Sequence, residues 1–232
     1  MKLSIIIPVY NEASTISEVI HQVLSVDLPD VEKEIIVVDD GSTDATADIL
    51  KEEKERNTKT LTIYTSQRNF GKGMAIRTGL KHVTGDIVLI QDADLELDPQ
   101  EYLSLLEPIR SGRASVVYGS RFLNSATGVP WQSRLAGALL SSLTNLLYRS
   151  RLTDEATAYK VFKARALRDL DLHSVGFEFC PEVTAKLLKR GYTIVEKPVT
   201  YRPRSAAEGK KIRFLRDGGL AVYTLLRYRF RD

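Results

Sequence analysis

Residues 3–12 read LSIIIPVYNE and residues 35–42 read IIVVDDGS. In each stretch an apolar run ends abruptly in polar, turn-forming residues. A continuous apolar run of this length is typical of a strand that is buried on both faces of a sheet. Shorter apolar runs at 61–64, 87–90 and 115–118 repeat the pattern. The sequence therefore predicts five strands in the first half of the chain.

Segments of helical character lie between these strands. Apolar residues between 16 and 24 recur at helical spacing, and another helix is expected after the second strand, with Ser42 or Thr43 as its cap. Gly71-Lys72-Gly73 is predicted to start a third helix, although its backbone N–H groups also suit a phosphate. Strands that alternate with helices form a parallel sheet, and ligands bind such sheets beyond the carboxyl ends of the strands.

The second half of the chain is predicted to contain further helices and strands. Helices are expected at 130–151, 181–190 and 212–229, strands at 156–163 and 192–200, and a loop at 202–211. The last helix is basic and amphipathic, so it suits an anionic lipid leaflet. Packing on the domain with snorkelling arginines is the alternative interpretation.

The composition excludes several classes of protein. With 43% hydrophobic and 27% charged residues among 232, the chain is globular and not disordered. A net charge of only +3, without a recognisable reader motif, argues against nucleic-acid binding. The single Cys180 cannot form an internal disulfide, and residues 1–9 are too short for a signal peptide or a membrane span. We therefore expect a cytoplasmic protein.

Asp92-Ala93-Asp94 directly follows the fourth apolar run. In an extended segment residues i and i+2 project to the same side, so the two carboxylates can share one divalent cation. Hard oxygen ligands with few protein donors suit Mg²⁺ or Mn²⁺ held jointly with a substrate diphosphate. A solvated acidic loop, or a helix cap ahead of Pro99, is the plainer alternative.

The first two strands end in residues that suit a nucleotide. The Tyr10 ring can stack on a nucleobase, and the Asp40 carboxylate can accept hydrogen bonds from the N–H groups of the base. Ordinary turn chemistry explains either turn when it is taken alone. Glu178 and Glu182 are equally consistent with a sugar pocket and with the start of a helix.

The series PVYNE, VVDDGS, NFGKG, DADLE and YGSRF, in this order and spacing, resembles the family 2 glycosyltransferases. Within that family the chain is most similar to the dolichol-phosphate or polyprenyl-phosphate mannose synthases, because residues 154–160 and 204–211 also match. The resemblance implies an α/β fold of the GT-A type. Its Rossmann-like, mostly parallel central sheet would be flanked by helices, and a C-terminal amphipathic helix would follow.

The resemblance also implies how the chain is divided. A single domain would span 1–232, with a nucleotide-sugar-binding half at 1–122, an acceptor half with a mobile loop at 123–211, and the basic amphipathic helix at 212–232. The implied reaction moves a hexose, with inversion, from a donor such as GDP-mannose or UDP-glucose to a polyprenyl or dolichyl phosphate. An acceptor phosphate is already anionic near neutral pH, so it can attack without a base.

The resemblance assigns a role to each matching position. Asp94, Arg204 and Lys210 would be catalytic, and Arg204 and Lys210 would grip the donor diphosphate. Arg121 and Arg134 would meet the acceptor phosphate. The metal, Mg²⁺ or Mn²⁺, would bind Asp92, Asp94 and Glu96. The nucleotide-sugar pocket would be lined by Pro8, Tyr10, Glu12, Val38, Asp40, Asp92, Ala93, Asp94, Arg204 and Lys210.

Other functions remain open at the level of sequence. A transferase that acts on a sugar hydroxyl would need a general base, for which Asp154, Glu178 and Glu182 are candidates. A non-catalytic nucleotide-sugar-binding subunit and a nucleotidyltransferase are further alternatives. A polyprenyl-phosphate acceptor implies peripheral contact with the anionic inner face of the cell membrane, where a membrane protein is a candidate partner.

Overall fold

The computed structural model describes residues 1–123, 128–204 and 214–231. The strands are β1 (Lys2–Val9), β2 (Glu32–Asp39), β3 (Leu61–Thr65), β4 (Ile87–Ile90), β5 (Val116–Ser120), β6 (Lys160–Lys163) and β7 (Ile194–Pro198). The helices are α1 (Ile16–Ser25), α2 (Thr46–Arg56), α3 (Lys72–Leu80), α4 (Tyr102–Arg110), α5 (Trp131–Tyr148), α6 (Ala164–Arg168), α7 (Phe179–Lys189) and α8 (Phe214–Phe230). A short 3-10 turn at Pro99–Glu101 leads into α4.

The described strands form one sheet in the order β3-β2-β1-β4-β6-β5-β7. β1 pairs in parallel with β2 and with β4, and β2 pairs in parallel with β3. β6 runs antiparallel to both of its neighbours, β4 and β5. The chain therefore moves outward from β1 to β3 and then crosses to the other side of β1. In sheets of this kind ligands bind in the crevice where the order reverses, which here lies between β1 and β4.

The apolar runs of the sequence are buried because helices cover both faces of the sheet. Along β1, Ile5 and Ile7 belong to the core cluster that includes α1 and α4, whereas Ile6 packs with Ile76 of α3. All three isoleucines are fully buried, and each such burial stabilises the fold by about 1.5–3 kcal/mol. The predicted architecture, a mostly parallel sheet flanked by helices and followed by a C-terminal helix, is confirmed.

The predicted cap of α2 is wrong. The helix begins at Thr46, and neither Ser42 nor Thr43 caps it. The Ser42 hydroxyl instead donates to Asp39 (Oγ to Oδ1, 2.6 Å) and accepts from the backbone N–H of Asn11 at 2.9 Å. Ser42 therefore ties the turn after β2 to the turn after β1, and this tertiary contact overrides its local preference for a helix start.

Other boundaries also differ from the predictions. The helix predicted at 130–151 ends at Tyr148, because Arg149 adopts a left-handed conformation with φ of 55°. The strands predicted at 156–163 and 192–200 are shorter in the structure, where β6 covers only Lys160–Lys163 and β7 only Ile194–Pro198. The start of the helix predicted at 212–229 lies outside the described residues, which resume at Phe214.

Glu182 is fully buried on α7 and connects three segments of the chain. Its carboxylate accepts from the backbone N–H groups of His173 (2.8 Å) and Ser174 (2.7 Å), from Lys186 Nζ (2.6 Å) and from the Tyr228 hydroxyl of α8 (2.8 Å). Burial alone would raise the pKa of Glu182, but these hydrogen bonds outweigh burial and hold the pKa at about 2. Glu182 therefore joins α7 to α8 and has no place in a sugar pocket.

We expect Glu182→Gln to lower the free energy of unfolding by about 1–3 kcal/mol at pH 7, because the buried N–H donors lose a charged acceptor. The pKa of Glu182 in the folded protein lies below its ordinary value of 4.5, so this stabilisation is present above pH 4.5 and is lost as the pH falls toward 2. Urea unfolding across this pH range should show the two proteins converging. An equal difference at every pH would contradict the assignment, and the exposed Glu55→Gln is the control.

Candidate active site

Asp92-Ala93-Asp94 leaves the carboxyl end of β4 with its side chains alternating in direction. Ala93 is buried in the core beneath α1, and its carbonyl accepts from the Thr15 hydroxyl at 2.7 Å. The carboxylates on either side face the crevice instead, where Asp92 pairs with Lys72 at 2.5 Å and Asp94 pairs with Arg204 at 3.0 Å. The two acidic side chains therefore lie on one side of the backbone.

Arg204 joins the motif to the end of β1. Its Nη1 lies 2.9 and 3.1 Å from the two carboxylate oxygens of Glu12, and its Nη2 lies 3.0 Å from Asp94 Oδ2. Its backbone N–H donates to Glu96 Oε1 at 3.0 Å. One guanidinium therefore bridges the loops that follow β1 and β4, across the crevice where the strand order reverses.

Among the described residues, negative charge is in excess at this site. Four carboxylates, from Glu12, Asp92, Asp94 and Glu96, surround two cations, Lys72 and Arg204. Burial and then the carboxylates of Asp92 and Glu96 raise the pKa of Asp94 to about 7, although Arg204 and Lys72 oppose this rise. The charged form of Asp94 would be stabilised by further positive charge.

A buried hydrogen-bonded tripod supports the motif from below. Gln91 Oε1 accepts from the hydroxyls of Tyr102 and Tyr159, each at 2.8 Å, and Gln91 Nε2 donates to the backbone carbonyl of Asp92 at 2.9 Å. All three side chains are fully buried, and burial raises the pKa of both tyrosines, so their hydroxyls remain protonated donors. The tripod fixes the backbone from which Asp92 projects.

We expect Gln91→Leu to lower the free energy of unfolding by about 1–3 kcal/mol for each of the two tyrosine hydroxyls that it strands. Tyr102→Phe removes one donor and strands no other group, so its cost should be only about 0.5–1.5 kcal/mol. Urea unfolding of both variants measures the difference. Equal costs would show that the tripod does not stabilise the fold in this way.

The residues proposed for the nucleotide lie at the ends of β1 and β2 but differ in exposure. Tyr10 is half-buried, whereas Pro8 and Val38 are buried within the sheet, so only their backbone could reach a ligand. Asp40 accepts from the backbone N–H groups of Phe70 (3.0 and 3.1 Å) and Gly71 (2.6 Å). Burial raises the pKa of Asp40 despite these bonds. Asp40 therefore ties the loop before α3 to the end of β2.

Arg121 and Arg134, the residues proposed for the acceptor phosphate, differ in their surroundings. Arg121 forms a two-pronged ion pair with buried Asp154, with Nε to Oδ2 at 2.7 Å and Nη2 to Oδ1 at 2.8 Å. Arg134 is exposed in the first turn of α5. The helix lies close to the segment after Arg121, since a Cβ on Gly137 would lie 3.1 Å from the Phe122 ring. Both arginines therefore belong to the same side of the protein.

Glu96, the third carboxylate predicted for the metal, forms two hydrogen bonds within the protein. Glu96 Oε2 accepts from the Tyr201 hydroxyl and Glu96 Oε1 accepts from the backbone of Arg204, each at 3.0 Å. In the described ranges no group of three or more His, Cys, Asp or Glu side chains is arranged to hold a metal ion. Asp92 and Asp94 remain as two hard ligands on one side, a number that suits Mg²⁺ or Mn²⁺ completed by diphosphate oxygens. Lys210 lies outside the described residues.

Sequence reasoning missed the side chain of Lys72. It lies in the first turn of α3, and the glycines around it allow that turn to approach residues 174–176, since a Cβ on Gly71 would lie 2.4 Å from the Val175 carbonyl. The position of Lys72 at the start of a helix could have placed it near the acidic motif. A helix that follows a parallel strand begins at the carboxyl edge of the sheet, which is the edge where Asp92 and Asp94 lie.

The chain is similar to known proteins over most of its length. The family model described as "Glycosyl transferase family 2" matches residues 4–171. An undecaprenyl-phosphate 4-deoxy-4-formamido-L-arabinose transferase from Edwardsiella ictaluri is 28% identical over 90% of this chain and 62% of its own. A dolichol-phosphate mannosyltransferase from Pyrococcus furiosus is 27% identical over 100% of this chain and 63% of its own. This chain thus spans less than two thirds of the length of these two relatives.

A solved structure shares the fold. The glucosyl-3-phosphoglycerate synthase from Mycobacterium tuberculosis, crystallised with Mn²⁺, UDP and phosphoglyceric acid, superposes with a TM-score of 0.75 at 20% identity, over 100% of this chain and 79% of that one. At this identity the likeness supports the GT-A fold alone. The family model, in contrast, covers well over half of the chain and includes the crevice between β1 and β4. The chain therefore belongs to glycosyl transferase family 2.

Proposed function

We propose that the protein transfers a hexose, with inversion, from a nucleotide-sugar donor of the GDP-mannose or UDP-glucose type to a polyprenyl or dolichyl phosphate. The observation that carries this proposal is the pair of carboxylates, Asp92 and Asp94, projecting side by side into the crevice between β1 and β4 with Lys72 and Arg204 beside them. The names of the polyprenyl-phosphate and dolichol-phosphate relatives support the acceptor class.

The residues of the site divide the work on the donor. A bound Mg²⁺ or Mn²⁺, held by Asp92 and Asp94, would shield the negative charge that builds on the departing diphosphate. Arg204 and Lys72 add fixed positive charge from two sides of the crevice, where little water screens it. Lys210 is proposed to join them on the strength of the family resemblance. Glu12, Tyr10 and Asp40 would orient the nucleoside.

The structure weakens the alternative in which a sugar hydroxyl is the acceptor. Such a reaction needs a general base. Asp154 is held by the Arg121 guanidinium, and Glu182 carries four hydrogen bonds inside the protein. Glu178 accepts from the backbone N–H groups of Val175 and Gly176, at 3.0 and 2.9 Å. An anionic phosphate acceptor requires no such base, and we assign its binding to Arg121 and Arg134.

Peripheral contact with a membrane is part of the proposal. Four large apolar side chains of α5 are 54–79% exposed, and they are Trp131, Leu135, Leu139 and Leu146. The other side of α5 packs on α8, where the Tyr148 hydroxyl donates to the Leu225 carbonyl at 2.6 Å. In the described part of the chain no helix is both long and apolar enough to span a bilayer. An exposed apolar stripe with Arg134 beside it suits the surface of an anionic leaflet.

A two-stage experiment tests the proposal. Thermal unfolding with a panel of nucleotide sugars, each with and without Mn²⁺, identifies the donor as the one that raises Tm only when the metal is present. Transfer from that donor to a short polyprenyl phosphate is then followed by the mass of the product. Transfer to a glycan hydroxyl and not to the lipid phosphate would replace the proposed acceptor. Tight donor binding without turnover on any acceptor would favour a non-catalytic subunit.

A further inference from the structure

Arg204 crosses the mouth of the site and holds two carboxylates of opposite loops. Its Nη1 contacts both oxygens of Glu12 and its Nη2 contacts Asp94 Oδ2 at 3.0 Å, while only 16% of its side chain is exposed. Its Nε is buried and has no hydrogen-bond partner in the described part of the chain. The guanidinium is therefore well neutralised but incompletely satisfied, because one of its N–H groups still lacks an acceptor.

The backbone that carries Arg204 is firmly attached. Thr200 donates its N–H to Glu101 at 2.8 Å, Tyr201 forms an antiparallel bridge with Leu97, and Arg202 donates its N–H to the Glu96 carbonyl at 2.9 Å. A change in the contacts of Arg204 can therefore occur by rotation of its side chain alone. No opening of the backbone is needed.

The hydrogen bond from the Arg204 guanidinium and coordination of a divalent cation require different orientations of the Asp94 carboxylate. Mg²⁺ binds carboxylate oxygens at about 2.0–2.1 Å and requires them to point at the ion, whereas Asp94 Oδ2 now points at Arg204 Nη2. We propose that Arg204 competes with the divalent cation for Asp94, so that the metal binds weakly until the donor diphosphate offers the guanidinium another partner. This inference rests on the proposed metal and donor site and names how that site is regulated.

The competition makes metal and donor binding interdependent. A diphosphate supplies several anionic oxygens, which can replace Asp94 and can also satisfy the buried Nε. Arg204 would thus move from a protein carboxylate to the substrate at the step when the metal takes Asp94. The metal alone would leave Arg204 without Asp94, and the diphosphate alone would leave Asp94 without Arg204. Each ligand therefore favours the binding of the other.

Binding of Mn²⁺ in the absence of donor tests this directly, with free Mn²⁺ measured by its electron paramagnetic resonance signal. We expect Arg204→Met to tighten Mn²⁺ binding by about tenfold relative to the wild type, within the usual range of such coupling. Arg202→Met is the matched control, since Arg202 is 74% exposed, two residues away and outside the cluster. It should leave the Mn²⁺ affinity unchanged. Thermal unfolding with and without Mn²⁺ checks that each variant is folded.

Glu12→Gln separates competition from simple charge. Loss of an acidic side chain should weaken cation binding if only the local charge matters. If Arg204 competes for Asp94 because Glu12 holds the guanidinium beside that carboxylate, the variant should instead tighten Mn²⁺ binding, since it removes the contact that positions Arg204. The two explanations therefore predict changes of opposite sign for one isosteric substitution.

The outcomes are distinct. Unchanged Mn²⁺ affinity in Arg204→Met, or weaker binding in Glu12→Gln, overturns the competition while leaving the proposed metal site intact. An equal gain in Mn²⁺ affinity in Arg202→Met would mean that loss of any nearby positive charge tightens binding, and it would also overturn the competition. If neither wild type nor variants bind Mn²⁺ even with donor present, the proposed metal site itself fails, and the inference fails with it.

Discussion

Replacement of Asp94 by asparagine is expected to lower the rate of sugar transfer by about 10²–10³-fold, the usual cost of removing one charge-stabilising group from a transition state. The amide is a neutral and weaker ligand, so the cation that shields the leaving diphosphate would be lost or misplaced. The loss should appear in kcat more than in KM, since the charge develops only as the bond breaks. Steady-state transfer assays at saturating Mn²⁺ measure both constants.

Stability measurements separate this loss from unfolding. The pKa of Asp94 in the folded protein, about 7, lies above its ordinary value of 3.8, so the charged carboxylate destabilises the metal-free fold at pH 7. Asp94→Asn should therefore unfold at a temperature no lower than that of the wild type. Asp98→Asn is the control, because among the described residues Asp98 accepts one hydrogen bond, from the backbone N–H of Gln100, and forms a loose ion pair with Arg202 at 3.8 Å. Equal activity in Asp94→Asn and wild type would remove Asp94 from the mechanism.

Replacement of Asp154 by asparagine is expected to lower the free energy of unfolding by about 3–5 kcal/mol, because it leaves the Arg121 guanidinium without its charged partner in the interior. Asp154 is fully buried and accepts three hydrogen bonds from Arg121, including one from its backbone N–H at 3.0 Å. Burial lowers the pKa of Arg121, but the hydrogen bonds and the charge of Asp154 outweigh burial and hold the pKa above its ordinary value. Urea unfolding measures the loss.

A double-variant cycle shows whether Arg121 acts only through Asp154. Arg121→Met strands the Asp154 charge, Asp154→Leu strands the Arg121 charge, and the double variant removes both charges, so it should be more stable than either of these single variants. If Arg121 also binds the acceptor phosphate, the double variant will be folded but will show a raised KM for the acceptor with an unchanged KM for the donor. A normal acceptor KM in the folded double variant would limit Arg121 to a structural role.

The acidic motif after β4 was the part of the site most accessible to prediction from sequence. Buried strands identify themselves by continuous apolar runs, and a period of two residues places Asp92 and Asp94 on one side and Ala93 in the core. These features depend on neighbours within a few positions. The position of the motif after β4 then brings it to the crevice, because parallel strands end at a common edge.

Features that depend on distant partners could not be predicted. Nothing local shows that Gln91 would accept from tyrosines 11 and 68 residues away, or that Lys72 would pair with Asp92. Ser42 was assigned to a helix cap on its intrinsic preference, which the contact with Asp39 overrides. The helix α4 was not predicted beyond a possible cap ahead of Pro99, and Pro108 lies inside this helix.

The antiparallel direction of β6 affects which changes of sequence the cleft can accept. Its first residue, Lys160, pairs with Ile90, the last residue of β4, so the segment that enters β6 arrives at the same edge as the acidic pair. Asp92 and Asp94 follow β4 in the chain, whereas Asp154 precedes β6. These two groups are joined by the main-chain hydrogen bonds between β4 and β6. We therefore expect a change in the length of the segment 149–153 to alter the Asp154 side of the cleft more than the side that carries Asp92 and Asp94.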